Sequence, residues 1–429
     1  VYSTADAEGV HVRFADESVC IGPPPPRQSY LNAPAVLSAA RIAGCDAIHP
    51  GYGFMSENPE FAEACEACGI TFIGPTAETM RLLGDKVRGR AALSERGVPI
   101  LPGTGALTEE AEAVAAAARI GYPVLVKASA GGGGRGMRVV ESADRLQELL
   151  GSARAEAKAG FGNDTVFLEK YLARPRHIEV QVLGDGRGNA IHLLERECSL
   201  QRRHQKILEE SPSPAIDAET RQRMGETAAR AVAAVNYRGA GTLEFLLDED
   251  GGFYFLEMNT RLQVEHPVTE IVTGTDLVTA QIRIAAGEPI PYKQEDIEHK
   301  FAAVECRICA EDPATYTPSA GRITGYHEPG GPGVRVDSGF MAGSVVPPYY
   351  DSLIAKVITR GQDRQHAIQR MRRALLEYLV EGVKTNLALH LRILRDPDFQ
   401  AGRFDTKFLG RLLAAREGGA GVEAPGGTL

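Results

Sequence analysis

Residues 257–267 read Glu257-Met258-Asn259-Thr260-Arg261-Leu262-Gln263-Val264-Glu265-His266-Pro267, an oxygen-donor pair followed by an arginine and a second carboxylate. Such a set suits a site that handles metal-bound phosphate. Its first half continues an apolar run, Phe253 to Asn259, in which period-two alternation places Phe253, Phe255, Glu257 and Asn259 on one face of a strand. A second strand, Thr242 to Leu247, lies upstream, and Asp250-Gly251 between them is a tight-turn dipeptide. With those two residues as the turn, position 249 pairs with 252 and Glu244 falls opposite Glu257. Two carboxylates facing across a ladder repel unless a positive charge lies between them. Mg²⁺, which takes one or two carboxylates plus phosphate oxygens, is the economical remedy. A register one or two residues away would instead leave both glutamates solvated on an exposed face.

The chain has 429 residues, enough for two or three domains, with an ordinary 43% hydrophobic and 24% charged composition. A net charge of -9 argues against a nucleic-acid surface, and no apolar stretch reaches membrane-spanning length. Seven cysteines, an odd number, fit a reducing, cytoplasmic setting. Cys65 with Cys68 and Cys306 with Cys309 have Cys-x-x-Cys spacing, but they are too far apart in sequence for a compact zinc ribbon and read as core or surface thiols. The opening Val1-Tyr2-Ser3-Thr4 reads as entry into a strand already under way, so a leading strand and helix are expected to be missing.

The front quarter alternates helix and strand: Asn32 caps a helix through Arg41, Asp46 to His49 is strand-like, Glu60 to Cys68 helical, and Ile70 to Ile73 strand again. That rhythm indicates a parallel sheet with crossover helices, and Pro23 to Pro26 an extended connection. Near Pro102 a second unit begins, with a helix from Thr108 to Arg119 and a strand from Val124 to Ala128. A third, larger region follows from Leu172, with apolar helical segments from Glu377 to Arg395 and a frayed tail after Arg416.

Three further stretches bear on chemistry. Gly131 to Gly136 lies between two strands, so it is no dinucleotide or P-loop fingerprint, and it reads as a phosphate lid or as a plain flexible loop. Lys127, just before it, either reaches phosphate beneath the lid or is simply solvated. Gln201 to Lys206 is a basic run in an acidic protein, a solvated surface or a small-anion site. His49 to Asn58 is a turn-rich loop beside a cleft.

Together these stretches resemble the biotin carboxylases of the ATP-grasp superfamily over essentially the whole chain. Further matching segments are Gly84 to Val87, Glu169 to Leu172, Pro175 to His177, Glu195-Arg196, Gly239 to Thr242, Glu305 to Arg307 and Pro347 to Asp351. The resemblance implies an α/β and α+β fold of ATP-grasp architecture: a Rossmann-like N-terminal domain (1–74), a linker (75–101), a glycine-lidded domain (102–171) and a larger C-terminal region (172–429). It implies an ATP-dependent carbon-nitrogen ligase that carboxylates biotin from bicarbonate through carboxyphosphate. By the same resemblance, Lys86, Lys127 and His204 would approach the phosphates under Gly133 and Gly134. Glu169, Lys170, Tyr171 and Leu172 would meet adenine, and His177 would line the nucleotide site. Glu244, Glu257 and Asn259 would hold Mg²⁺ or Mn²⁺, with both glutamates also at the ATP. Lys206, Arg261 and the backbone of Val264 would seat bicarbonate, Glu265 would be its general base, and Arg307 would face the biotin ureido oxygen.

The implied partners are a biotin carboxyl carrier protein, carboxyltransferase subunits and a second copy of the chain. No Met-Lys-Met biotinylation motif follows Gly418, so the expected setting is a free-standing subunit of acetyl-CoA carboxylase in fatty acid synthesis. The competing settings are the carboxylase portion of a propionyl-, methylcrotonyl- or pyruvate carboxylase, a nucleotide-binding scaffold without catalysis, and an ATP-grasp ligase joining a carboxylate to an amine.

Overall fold

The computed structural model describes residues 1–107, 109–128, 137–202 and 205–417, with the side chains at 86, 87, 161 and 415–417 outside that description. Thr108, the glycine run with Gly133 and Gly134, His204, the Lys86 side chain and the tail from 418 therefore lie outside the described residues.

In the front quarter the expected rhythm is present. Helix Ala33–Ile42 starts where Asn32 Oδ1 accepts from Ala35 N (3.3 Å), and helix Pro59–Ala67 where Asn58 Oδ1 accepts from Phe61 N (2.7 Å). Each has proline in its first turn, where a missing N–H costs nothing. The strands Ala47–Ile48 and Thr71–Phe72 pair in parallel, and Cys65 packs with Phe61 and Phe72 in the core between them. All seven cysteines are free, as the spacing argument requires. Pro26 opens a 3₁₀ turn to Gln28, so the proline run is extended only up to that point.

Residues 75–101, expected as a linker, carry two helices, Ala77–Gly84 and Lys86–Ser94. Leu83, Leu93 and Val98 enter the same core as Phe253, Phe255 and Met258, because a helix pair beneath a sheet edge buries apolar surface that a linker would expose. Beyond them, strand Val124–Ala128 sits between Arg138–Val140 and Val166–Lys170, antiparallel to both. Helices Glu110–Ile120 and Leu146–Phe161 supply Ala113, Ala117, Leu146 and Leu150 to its core. Val124, Val126 and Ala128 are buried while Leu125 and Lys127 alternate to the other face.

The rest is organised by an eight-stranded antiparallel sheet, in the order Phe253–Asn259, Arg238–Leu247, Arg176–Asp185, Ala190–Arg202, Gln205–Ser211, Ala302–Cys309, Leu353–Gly361 and Val334–Ser338. Ile178, Val180 and Val182 turn towards helix Ala218–Ala233, while Val304, Cys306, Ile308 and Val357 turn towards helix Arg364–Glu377. The segment read as helical from Glu377 onward is mixed. Leu379–Glu381 is a strand paired with Gly325–His327, and only Leu387–Arg395 continues as helix.

At the quoted stretch the register holds by a different route. Near the turn Phe253 pairs with Leu247 and Phe255 with Phe245, one residue out of step with the Asp250-Gly251 count, because the loop closes between Asp248 and Gly252 (2.8 Å). A bulge at Leu256 then restores the step, and Glu257 pairs with Glu244. The single face expected for Phe253, Phe255, Glu257 and Asn259 is therefore corrected: the two phenylalanines join the core with Met258, whereas Leu256, Glu257 and Asn259 line a cleft. A bulge seats two consecutive residues where a regular ladder seats one, which breaks strict alternation.

Candidate active site

The cleft has a volume of about 1240 Å³ and lies between the three-stranded unit, the polar face of the large sheet and the loop at residues 50–54. Its walls include Lys127, Glu169, His177, Lys206, Glu244, Glu257, Asn259, Arg261, Val264 and Arg307, so the structure brings most of the sequence-nominated residues together. Two parts are displaced from the wall. Lys170 Nζ donates back to Gly121 O (2.8 Å) and Tyr122 O (3.2 Å), and the Tyr171 hydroxyl accepts from Lys407 Nζ (2.7 Å). Leu172 is buried, which leaves the backbone of this segment as the part available to a base.

Lys206 organises the floor. Its Nζ donates to Glu179 Oε2 (2.5 Å), Glu244 Oε1 (2.8 Å) and Glu265 Oε1 (2.7 Å), a carboxylate for each of its three protons. Arg196, fully buried, donates from Nε to the other oxygen of Glu179 (2.5 Å) and from Nη1 to Gln181 and Thr269. Arg307 donates from Nη2 to Glu265 Oε2 (2.8 Å) and from Nε to Glu209 Oε1 (2.7 Å). Charges of alternating sign thus run Arg196, Glu179, Lys206, Glu265, Arg307, Glu209. In a dry site such a chain is stable only when every member is paired, because one unpaired buried charge costs several kcal/mol.

The electrostatics follow from this chain. Burial alone would raise Glu265, yet Lys206, Arg307 and Arg196 overcome it and hold the carboxyl well below the usual range. Glu244 is likewise held low against burial by Lys206 and His177, whose Nε2 stands 3.1 Å from Glu244 Oε2. Burial lowers the His177 pKa, but Glu244 outweighs it and the net shift is upward.

Arg261 fans over three side-chain partners, Nε to Glu57 Oε2 (2.9 Å), Nη1 to Gln263 Oε1 (3.0 Å) and Nη2 to Asn259 Oδ1 (3.0 Å), with Nη1 also reaching Leu262 O (3.3 Å). Asn259 in turn donates to Glu244 Oε1 (2.9 Å). The carbonyl of Val264 is taken by Lys356 Nζ (2.9 Å), so its N–H is the group left for a ligand. On the facing unit Lys127 Nζ is 2.5 Å from Glu169 Oε2, and Arg90 pairs with the same carboxylate.

Two groups of candidate metal-ligating atoms occur among the described residues, His177 with Glu179 and Glu244, and Glu179 with Cys198 and Glu265. Neither is the expected set, and the Lys206 ammonium already bridges the carboxylates of both. Glu244, Glu257 and Asn259 remain the all-oxygen set facing the cleft, the donor chemistry that Mg²⁺ or Mn²⁺ prefers. Glu179, Arg196, Glu209, Arg90 and Lys356 were not singled out as site residues. Only Glu179 left a local signal, since His177, Glu179 and Gln181 alternate with Ile178, Val180 and Val182, a polar face on an otherwise apolar strand.

Among the described residues no helix is long and apolar enough to cross a membrane. Three family models match in sequence order: biotin carboxylase, N-terminal domain, over residues 1–80; carbamoyl-phosphate synthase L chain, ATP binding domain, over 85–293; and biotin carboxylase C-terminal domain over 305–411. The biotin carboxylase of Haemophilus influenzae is 56% identical over 419 residues, covering 97% of this chain and 93% of that one. A pyruvate carboxylase subunit from Methanothermobacter thermautotrophicus is 52% identical, covering 95% and 84%. Among solved structures, a Campylobacter jejuni biotin carboxylase described as a β,γ-ATP complex superposes with a TM-score of 0.91 at 49% identity, covering 96% and 92%. The biotin carboxylase domain dimer of Hydrogenobacter thermophilus 2-oxoglutarate carboxylase, with magnesium ADP and bicarbonate, gives 0.89 at 47% over the same shares. With an antiparallel sheet and a facing three-stranded unit enclosing a charged cleft, and with these likenesses along nearly its full length, the chain belongs to the biotin carboxylase family and has its ATP-grasp fold.

Proposed function

We propose that this chain uses ATP to join bicarbonate to biotin, the latter presented on a carrier protein, and that the chemistry takes place on the Lys206, Glu265, Arg307 floor. The observation that carries the reading is the position of Glu265, a fully buried carboxylate held between the two cations that would otherwise meet bicarbonate and biotin. Bicarbonate is a poor electrophile, so it has to attack the γ-phosphorus, and two anions have to be held side by side. Lys206, the Arg261 guanidinium and the Val264 N–H supply the cationic and donor groups for the smaller anion. An anion that draws Lys206 away from Glu265 weakens the largest of the charges that depress that carboxyl, so Glu265 becomes a stronger base where the proton must leave.

The carboxyphosphate so formed breaks into carbon dioxide and phosphate. Phosphate then takes the biotin N1 proton while Arg307 stabilises the enolate-like ureido oxygen, and N1 closes on the carbon dioxide to form the N–carboxyl bond. Among the described residues the Nη1 group of Arg307 has no protein acceptor, whereas Nε and Nη2 are engaged, so one donor is left for that oxygen. Mg²⁺ or Mn²⁺ held by Glu244, Glu257 and Asn259 would neutralise phosphate charge. Lys127, Lys86, His204 and the Gly133-Gly134 segment are proposed to serve the phosphates, and the backbone of Glu169 to Leu172 the adenine. The chain is proposed to divide as residues 1–74, 102–171 and 172–429, to pair with a second copy, and to serve a carboxyltransferase.

Acetyl-CoA carboxylase is the proposed setting. The likeness to a pyruvate carboxylase component favours a second one, in which the carboxyl acceptor is pyruvate and the half-reaction is unchanged. Measuring ADP release with bicarbonate and free biotin, each added and omitted, tests the reading: turnover should need bicarbonate and rise with biotin. Tight ATP binding without turnover, or stimulation by an amine instead of biotin, would overturn it.

A further inference from the structure

Strand Ala302–Cys309 presents Glu305 on the same face as Arg307, two residues apart, and Glu305 has no part in the reading above. Its cross-strand partner is Glu209, so two carboxyls lie directly opposite each other beside the guanidinium. Both residues are fully buried. Both Glu305 oxygens and Glu209 Oε2 are buried without a hydrogen-bond partner, while Glu209 Oε1 accepts from Arg307.

Every neighbouring charge is committed elsewhere. From strand Leu353–Gly361, Lys356 Nζ donates to Val264 O (2.9 Å) and stands 3.6 Å from Asp337 Oδ2. On its own strand, Arg307 is bonded to Glu209 and Glu265. Glu265, at the start of helix His266–Thr273, adds a further negative charge, and Tyr52 reaches the same region from the loop at residues 50–54. An ionised carboxylate at 305 would thus be buried, unbonded and opposite another carboxylate. One proton removes all three difficulties, because a neutral Glu305 has an O–H to give and Glu209 Oε2 is an acceptor with nothing to accept.

We propose that Glu209 and Glu305 share one proton and act as a positioning pair for Arg307, Glu305 supplying the O–H and Glu209 the charge that holds the guanidinium. Burial, with Glu209 adding to it against the pull of Lys356 and Arg307, pushes Glu305 well above the usual carboxyl range. Burial also brings Glu209 up to about 7, the behaviour of a pair that titrates as a unit. An ionised Glu305 would compete for Arg307 and draw its Nη1 away from the cleft. A neutral one fixes Glu209 from behind and leaves that donor facing outward. The inference rests on the proposed meeting of Arg307 with biotin, and it adds a support for that contact.

Two measurements test it. Infrared difference spectra of the ligand-free full chain in D₂O at neutral pD need no turnover. The carbonyl stretch of a protonated carboxyl should disappear in Glu305→Gln, and an unchanged spectrum in that region would overturn the shared proton. In steady state, Glu305→Ala should raise KM for free biotin about tenfold with KM for ATP within about twofold, and Glu305→Gln should restore the biotin KM. If Glu305→Gln is as impaired as Glu305→Ala, or if Glu305→Ala matches the parent, the positioning role is wrong. Should Glu305→Ala fail to fold, Glu305→Gln and the spectra still decide. A parent without biotin-stimulated ADP release would refute the functional reading while leaving the spectroscopic result to stand or fall separately.

Discussion

Glu265 must be ionised to accept a proton and basic enough to keep it, and those needs conflict while Lys206 and Arg307 both hold it. Anion binding resolves the conflict, since the cations then have a second negative charge to serve. Glu265→Gln should therefore cut kcat for bicarbonate-dependent ADP release by about a hundredfold or more, with nucleotide affinity, read by calorimetry, within a few-fold of the parent. Equal loss of nucleotide binding would place Glu265 in the ATP site instead. Arg307→Lys separates the second half-reaction from the first. A lysine keeps a charge but is a compact point donor without the planar fork that spans Glu209 and Glu265 while aiming a separate nitrogen at the cleft. Biotin-stimulated turnover should drop about a hundredfold, whereas any bicarbonate-dependent ADP release measured in the absence of biotin should persist. Loss of both together would mean that Arg307 serves bicarbonate.

At the scale of elements, the hairpin shows why sequence reading reached the site and where it stopped. The opposition of Glu244 and Glu257 was legible because two apolar runs flank a turn-forming dipeptide. The bulge at Leu256 was not, because it compensates a loop one step wider than Asp250-Gly251 suggests, and neither departure has a composition of its own. The cap at Asn32 was legible for the opposite reason, being a local hydrogen bond within three residues, whereas Asn58, which makes the same bond, was read as the end of a loop. Arg196 and Glu209 acquire their meaning only from strands distant in sequence: Arg196 faces Glu179 across one ladder and Glu209 faces Glu305 across another. Close packing at the far end of the Arg176–Asp185 strand was equally invisible. There a Cβ on Gly184 would come within 2.2 Å of the Tyr237 carbonyl oxygen, a backbone atom that cannot step aside. Gly184→Ala should lower stability by about 1–3 kcal/mol, seen as a fall in melting temperature, without changing KM for ATP or bicarbonate. An unchanged melting temperature would show that the two strands separate freely at that end.

Across the whole molecule, the Lys206 cage ties the acid behaviour of Glu244 and Glu265 to one ammonium. In the parent, Glu244 and Glu265 have folded pKa values below their unfolded ones, near 4.3 for a glutamate. The stability they contribute is thus present above about pH 4.3 and lost as pH falls through the folded values. Lys206→Met reverses the sign. Glu179 keeps Arg196 and Glu265 keeps Arg307, but the ammonium shared among the three carboxylates is gone and burial now prevails at Glu244 and Glu265, raising the two that were depressed. Groups with raised values contribute stability below about pH 4.3 and lose it as pH climbs, so the variant should be least stable where the parent holds its cage intact. Glu209, brought up to about 7 by burial, adds a slope of its own, but it does so in both proteins and largely cancels in their difference. Calorimetric scans in a chelator-containing buffer should show Lys206→Met weaker than the parent by about 3–5 kcal/mol at pH 8, with the gap narrowing steadily towards pH 5. Parallel curves across that range would mean that the three carboxylates reach water once the lysine is removed, and that the floor of the cleft is not the dry, charge-matched surface on which the proposed proton transfer depends.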